Sequence, residues 1–363
     1  MAEVAASTLE GEVCGCVVTR YGHGPRQTTG AIEVIEAGHP VPDAASLDAG
    51  RRIRAIAASA TADDRVIFLV SGGGSALMCD PVPGLSLEEK REITAHLVRS
   101  GMAIGDINLV RRHLSQVKGG RLAAAAAAAA GDMHTYLISD VVGDDPAAIA
   151  SGPSIACRHE PERAIALLAQ SGWTVTTALA ESIRRAAVIE APVHPVQIIA
   201  NGRTALDALT EAARTDGWNV IRPADDLSGD AAEVGRVHAA QVLDLAKRPG
   251  CHLFVTGGEL TVEVRDRRGR GGPNLEYLTG LMAELPEGAP IAALAADSDG
   301  IDGSEDNAGG FFDCATRAAT TTCQAALATN DSYGLFKRIG GLIMTGPTRT
   351  NVNDIRMIAV ITP

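Results

Sequence analysis

Residues 65–76 read Arg65-Val66-Ile67-Phe68-Leu69-Val70-Ser71-Gly72-Gly73-Gly74-Ser75-Ala76. The first half is an unbroken apolar, β-branched run, the signature of a strand covered on both faces in a parallel sheet. The second half turns the chain with three glycines between two serines. In open α/β sheets ligands sit at the carboxyl ends of strands. Glycine lets backbone N–H groups turn toward an anion, and serine adds hydroxyl donors. No G-K-[ST] follows, so the loop is not a Walker A motif.

Outward from this stretch, strand and helix patterns alternate. Further strands are expected at Cys14–Thr19, Ala31–Glu36, Thr135–Ser139, Val196–Ala200, His252–Thr256, Leu260–Val264, Ile291–Ala296, Leu342–Thr345 and Arg356–Ile361. Helices are expected at Ser46–Ser59 with Ser46 as N-cap, at Ser86–Arg99 with a Ser86/Glu89 capping box, and near Arg203–Thr215 and Asp230–Ala246. The alanine tract Ala123–Ala130 reads as a helix without a functional role. This alternation predicts an α/β protein of two α/β domains with mainly parallel sheets and an interdomain cleft. The weakly patterned stretch Ala156–Pro195 places the boundary between domains 1–195 and 196–363.

Composition narrows the function. A net charge of −12 and 3% aromatic residues disfavour nucleic-acid binding. No apolar run is long enough for a membrane span, and no secretory signal is read at the N-terminus. Seven scattered cysteines without a C-x-x-C pair argue against a disulfide framework or zinc site and for a reducing, cytoplasmic setting.

Other loops follow strands. Asn108–Arg121 gathers Arg111, Arg112, Lys118 and Arg121, enough positive charge to neutralise a polyphosphate. Ser115–Lys118 matches S-x-x-K, but the companion S-D-N and K-T-G motifs of serine acylases are missing. Ser139-Asp140-Val141-Val142-Gly143-Asp144-Asp145 and Asp297-Ser298-Asp299-Gly300-Ile301-Asp302-Gly303 each end an apolar run with three carboxylates, in the first suited to Mg²⁺ and in the second repeating the theme. Ser151–Ser154 reads as another anion-facing turn, and Gly269–Asn274 as a mobile loop. His23 and His39 lie after strands as polar substrate contacts. No G-x-G-x-x-G is present, which counts against a nicotinamide enzyme.

Eight segments together resemble the class II glycerate kinases, many of which carry the older label hydroxypyruvate reductase. They are EAGHPVPD (36–43), LVSGGGSAL (69–77), INLVRRHLSQVKGGRLA (107–123), ISDVVGDDPAAIASGPS (138–154), TGGELTV (256–262), GRGGPNLE (269–276), DSDGIDG (297–303) and TGPTRTNVND (345–354). The resemblance implies a glycerate-kinase N-terminal domain and a C-terminal MOFRL domain. It implies ATP-dependent phosphorylation of D-glycerate at the 2-hydroxyl with Mg²⁺. On this reading Ser71, Gly72, Gly73, Gly74, Ser75, His39, Asn108, Arg111 and Ser115 bind phosphate or substrate, as do Glu259, Asn274, Thr348, Asn351 and Asn353. Lys118, Arg121, Asp140 and Asp299 are the catalytic candidates, and Asp144 and Asp297 the metal ligands. The family carries a G-K-A segment upstream of where this chain begins, and an arginine where Pro273 stands. Arg349 stands where glycine is usual. These departures leave two alternatives beside the kinase: a hydroxypyruvate reductase using NAD(P)H, and an impaired binding paralogue. An apolar face left by the shorter N-terminal region points to a homo-oligomer.

Overall fold

The computed structural model describes residues 1–24, 30–186 and 190–363. The chain divides into two compact units, one of residues 1–137 with 143–199 and one of 138–142 with 200–363.

The N-terminal unit holds two small parallel sheets. Strands β1 (Gly15–Arg20) and β2 (Ile32–Ala37) pair with each other. Strand β3 (Val66–Val70) pairs in parallel with β4 (Met133–Ile138), and β5 (Val196–Ala200) completes that sheet. All five β3 residues are half-buried rather than fully enclosed. Helices α1 (Ala2–Thr8), α2 (Ala44–Ser59), α3 (Gly74–Leu77), α4 (Leu87–Arg99), α5 (Ile104–His113), α6 (Arg121–Ala125), α7 (Pro161–Gln170) and α8 (Thr177–Arg185) surround the sheets.

Caps explain several helix starts. Ser86 and Glu89 exchange reciprocal bonds at the start of α4, as expected. At α2 the N-cap is Asp43, and Ser46 is the third helical residue closing the box, because Asp43 accepts from the Ser46 N–H at 2.9 Å. The Asn108–Arg121 stretch is a loop only in its second half, since α5 runs to His113. The alanine tract is not one helix: α6 gives way to a 3₁₀ segment, Ala127–Asp132. The stretch 156–195 contains α7 and α8; its residues 187–189 lie outside those described.

The C-terminal unit is built on a six-stranded sheet ordered β10-β9-β8-β11-β7-β6. Its strands are β6 (Asn219–Leu227), β7 (Gly250–Gly258), β8 (Ile291–Asp297), β9 (Gly309–Phe312), β10 (Leu342–Ile343) and β11 (Asp354–Thr362). Here the expectation of mainly parallel pairing fails. Only β6–β7 is parallel; β11 arrives last and inserts antiparallel between β7 and β8. Strand β6 escaped the sequence reading because Pro223 and two aspartates break its pattern. It is an edge strand with two register shifts, where proline is tolerated. Leu260–Val264 is not a strand: its ladder pairing is the single bridge of Thr261 to Asp230.

Five helices complete this unit: α9 (Gly202–Thr215), α10 (Ala231–Leu245), α11 (Pro273–Glu284), α12 (Thr320–Thr329) and α13 (Ser332–Ile339). Residues Asn274–Ala283 of α11 are all buried, as in a helix with no solvent face. Two glycines let α10 and α11 touch. A Cβ on Gly235 would lie 2.2 Å from the Tyr277 carbonyl oxygen, and one on Gly280 would lie 2.3 Å from that of Ala232. The contact buries Leu278, Leu281 and Met282 completely, each worth about 1.5–3 kcal/mol.

His238 of α10 lies in this core, its Nδ1 2.9 Å from the Tyr277 hydroxyl. Burial, aided by the Arg356 charge, pushes its pKa down to about 4. A depressed histidine favours the neutral folded form. Its contribution is complete above the unfolded value near 6.5, and it is lost as pH falls from there toward 4. The wild type is therefore expected to lose on the order of 3 kcal/mol across that window relative to His238→Leu. Urea titrations of both proteins at pH 7 and pH 4.5 check this; parallel pH slopes would refute it.

Candidate functional site

In the N-terminal unit the Ser71–Gly73 turn carries the chain from β3 into α3. Gly73 has φ 75°, a left-handed conformation natural to glycine. A Cβ there would sit 3.3 Å from His39 Nε2, so glycine also gives the imidazole its place. Ser75 is the focus of the turn. Its hydroxyl accepts from Arg111 Nη2 at 2.8 Å and lies 2.9 Å from the Ser151 hydroxyl. Its carbonyl accepts from Lys118 Nζ at 2.7 Å. Asn108 steadies Arg111 by accepting from its Nη1 at 3.4 Å. Ala150 and Ser151 both adopt positive φ, at 50° and 64°, and so place this strained segment beside Ser75.

Electrostatics set Lys118 apart. It is 1% exposed and forms no ion pair among the described residues. Burial first, then the charges of Lys90 and Arg111, push its pKa far below the ordinary lysine range. Arg111 is likewise lowered by burial. Two buried cations thus converge on one serine, and an anion placed there would relieve both.

Other expected residues have different surroundings. Ser115 is fully buried, and its hydroxyl accepts from the Val117 N–H at 3.3 Å, so it shapes the turn before Lys118. Arg121 donates through Nη1 to the carbonyls of Arg112 and Lys118, at 3.0 and 3.2 Å. Ser71, Gly72 and Gly74 are half-buried in the turn. Asp144 lies in this unit at φ 53°, whereas Asp297 lies in the other.

The C-terminal unit assembles the acidic groups. Asp297 ends β8 and is the register partner of Asp354 on β11. Asp299 N–H donates to the Asp297 carboxylate at 2.8 Å, closing a tight acidic turn. Burial, then the nearby Asp299 and Asp354 charges, raise the Asp297 pKa. The 345–354 loop packs on this turn: Thr348 N–H donates to the Asp299 carbonyl at 3.2 Å, and Ser298 N–H to the Asn353 carbonyl at 3.3 Å. Asn351 donates to Asp140 at 3.3 Å and accepts from the Asn353 N–H at 3.0 Å. Glu259 reaches solvent, yet partial burial and the Asp354 and Asp140 charges raise its carboxyl. Asp140, Glu259, Asp297, Asp299 and Asp354 therefore share one acidic neighbourhood. Among the described residues, no three His, Cys, Asp or Glu side chains form a group that could hold a metal ion.

Asn274 is 1% exposed and is spent inside the protein, donating to Asp354 at 2.7 Å and to Asp302 at 3.3 Å. The Gly269–Asn274 segment is anchored rather than mobile. Pro273 is the first residue of α11, where a missing N–H costs nothing, and a Cβ on Gly272 would collide with the Asp302 backbone at 2.3 Å. Sequence reading assigned no role to Asp354 or Arg356, and counted Asp302 only as a carboxylate of the 297–303 loop. The signal was available: Asp354 and Arg356 are alternate polar residues in an otherwise apolar strand pattern, which places both on one face.

Residues 1–188 match the family described as domain of unknown function (DUF4147), and residues 252–354 match the MOFRL family. The chain belongs to the DUF4147–MOFRL family. A relative of this DUF4147–MOFRL chain from Agrobacterium vitis, named "Putative hydroxypyruvate reductase", is 40% identical, covering 99% of this chain and 84% of its own. One from Thermotoga maritima, named D-glycerate 2-kinase, is 37% identical, covering 94% of this chain and 83% of its own. The crystal structure of a glycerate kinase from that organism superposes with a TM-score of 0.84 at 35% identity. It covers 96% of this chain and 85% of that one. Among the described residues, no helix of the DUF4147–MOFRL chain is long and apolar enough to cross a membrane.

Proposed function

We propose that the chain is a glycerate 2-kinase, which moves the γ-phosphoryl group of ATP to the 2-hydroxyl of D-glycerate. The observation that carries this is the convergence of Arg111 and Lys118 on Ser75 in the Ser71–Ser75 turn. Phosphoryl transfer depends on positioning and charge neutralisation. Two desolvated cations beside a polar glycine turn suit a phosphate or a carboxylate. Lys118 and Arg111 neutralise the anion, Ser71, Ser75 and the loop amides position it, and His39 and Asn108 border it. Arg121 acts through Lys118, whose carbonyl it holds. The relatives named as glycerate kinases support the substrate class.

Asp140 and Asp299 are the proposed bases for the acceptor hydroxyl, with Asn351, Asn353 and Thr348 fixing their loop. Mg²⁺ prefers oxygen ligands and is held by one or two carboxylates plus substrate phosphates, rather than by an all-protein cage. The acidic neighbourhood fits that demand: Asp297 is raised first by burial and then by the charges of Asp299 and Asp354, so a cation beside it would relieve that strain. Asp297 is the proposed ligand in the C-terminal unit, with Glu259 in the same acidic neighbourhood, and Asp144 is the candidate ligand in the N-terminal unit. When bound, the ion would offset phosphate charge.

Coupled assays decide the reading. ATP turnover that requires both D-glycerate and Mg²⁺ and yields 2-phosphoglycerate is expected. NAD(P)H oxidation with hydroxypyruvate at a comparable rate would replace the kinase by a reductase. Calorimetric binding of ATP without turnover would establish an impaired paralogue.

A further inference from the structure

We propose that a basic pocket in the N-terminal unit, behind the Val117–Arg121 turn, is a second anion site built to take a phosphate group. It is an open, shallow recess lined by Arg112, His113, Arg121, Arg158 and His159, with Gly119 and Cys157 completing the wall. The proposal does not depend on the kinase reading.

The first support is charge. The chain carries a net −12, yet no Asp or Glu lines this pocket. Among the described residues, none of Arg112, Arg121 and Arg158 forms an ion pair. Elsewhere most arginines pair with a carboxylate: Arg54 with Asp80, Arg163 with Asp106, Arg184 with Glu162. Three guanidinium groups left together on one concave wall call for an external counter-charge.

The second support is unmet hydrogen bonding. Arg112 Nε is buried and has no hydrogen-bond partner among the described residues. Buried polar atoms are nearly always satisfied, so an orphan donor at a basic wall marks the place of an acceptor. Arg121 is held in place by the Arg112 and Lys118 carbonyls. His113 is neutral and fixed: its Nδ1 faces the Leu109 carbonyl at 2.8 Å and its Nε2 accepts from the Glu160 N–H at 3.0 Å. It shapes the wall, and the arginines supply the donors.

The third support is the close approach that glycine permits between the turn and the arginine wall. Gly119 has φ 61°, and a Cβ there would press on Arg112 Cδ at 3.3 Å and Cys157 Cβ at 3.6 Å. The pocket is also distinct from the Ser75 turn. Arg111 points to Ser75, while its neighbour Arg112 turns toward Gly119. Phosphate is the fitting ligand because guanidinium forks match its oxygens and a dianion answers more than one arginine. It could arrive free or as part of a small phosphorylated acid.

Calorimetric titration of the full chain with inorganic phosphate, and separately with 2-phosphoglycerate, tests this. The variants are Arg158→Ser, which alters an exposed side chain and spares the core, Arg112→Gln and Ser75→Ala. Saturable binding of at least one probe is expected, weakened about tenfold or more in Arg158→Ser and Arg112→Gln and retained in Ser75→Ala. The probe that binds more tightly identifies the source. No saturable binding by the wild type, or binding undiminished in Arg158→Ser, would overturn the proposal. So would an equal loss in Ser75→Ala, which would assign the phosphate to the serine turn.

Discussion

Replacing Lys118 by methionine is expected to cut ATP-dependent turnover by at least about a hundredfold while leaving thermal stability unchanged or higher. The two effects have opposite signs for one reason. The Lys118 ammonium is buried, pairs with no carboxylate among the described residues, and is repelled by Lys90 and Arg111. Its hydrogen bond to the Ser75 carbonyl, the one it makes among the described residues, does not offset the loss of water. Methionine keeps the stem's volume and removes the desolvation cost, which in other buried charge sites is neutral or stabilising by about 1–4 kcal/mol. Turnover suffers because a charge in a dry site acts on the transferring group far more strongly than in water. Melting temperature and kcat measured on the same preparation check both halves. Wild-type turnover would remove Lys118 from the chemistry; a large stability loss would mean the ammonium is satisfied in the folded state.

The sequence made the scaffold of this arrangement visible, because its signals are local. Val66–Val70 pairs as a parallel strand, and the Ser71–Ser75 turn follows it. The Ser86/Glu89 box starts α4 because capping needs only four residues. Long-range matters were not visible. The insertion of β11 between β7 and β8 depends on competition among strands far apart in the chain, and strand order has no local signature. Pairing Asp354 with Asp297 follows from that order alone. The glycine-rich segment before α11 looked mobile because glycine suits flexible loops and crowded ones alike. Only packing against Asp302 distinguishes them. The site residues divide likewise. Ser75, Arg111 and Lys118 could be named from composition around a strand end. The commitment of Ser115 and Asn274 to internal hydrogen bonds required the three-dimensional neighbours.

Arg356→Met should be the most destabilising of the substitutions considered, by about 3–5 kcal/mol, the usual result of stripping one partner from a buried pair. Arg356 is 1% exposed. It donates to the Asp354 carboxylate through Nη2 and to the Gly257 and Gly258 carbonyls through Nη1, at 3.1 and 3.3 Å. Its guanidinium also lies 5.5 Å from the centre of the Tyr277 ring. Methionine fills much of the space but leaves Asp354, whose pKa burial already raises, without its counter-ion. It also removes the donor from two strand-end carbonyls. The second change Asp354→Asn should restore roughly half of the loss or more, since it removes the stranded charge and can still accept from Asn274. A double-mutant cycle in urea measures this coupling; additive losses would show that the pair is not the source. Arg356 also depresses His238. In Arg356→Met the His238 pKa should rise from about 4 toward the ordinary histidine value, without reaching it because burial, the larger cause, remains. Imidazole resonances followed by NMR through a pH titration report that shift directly, and an unmoved midpoint would break the electrostatic link between β11 and α10.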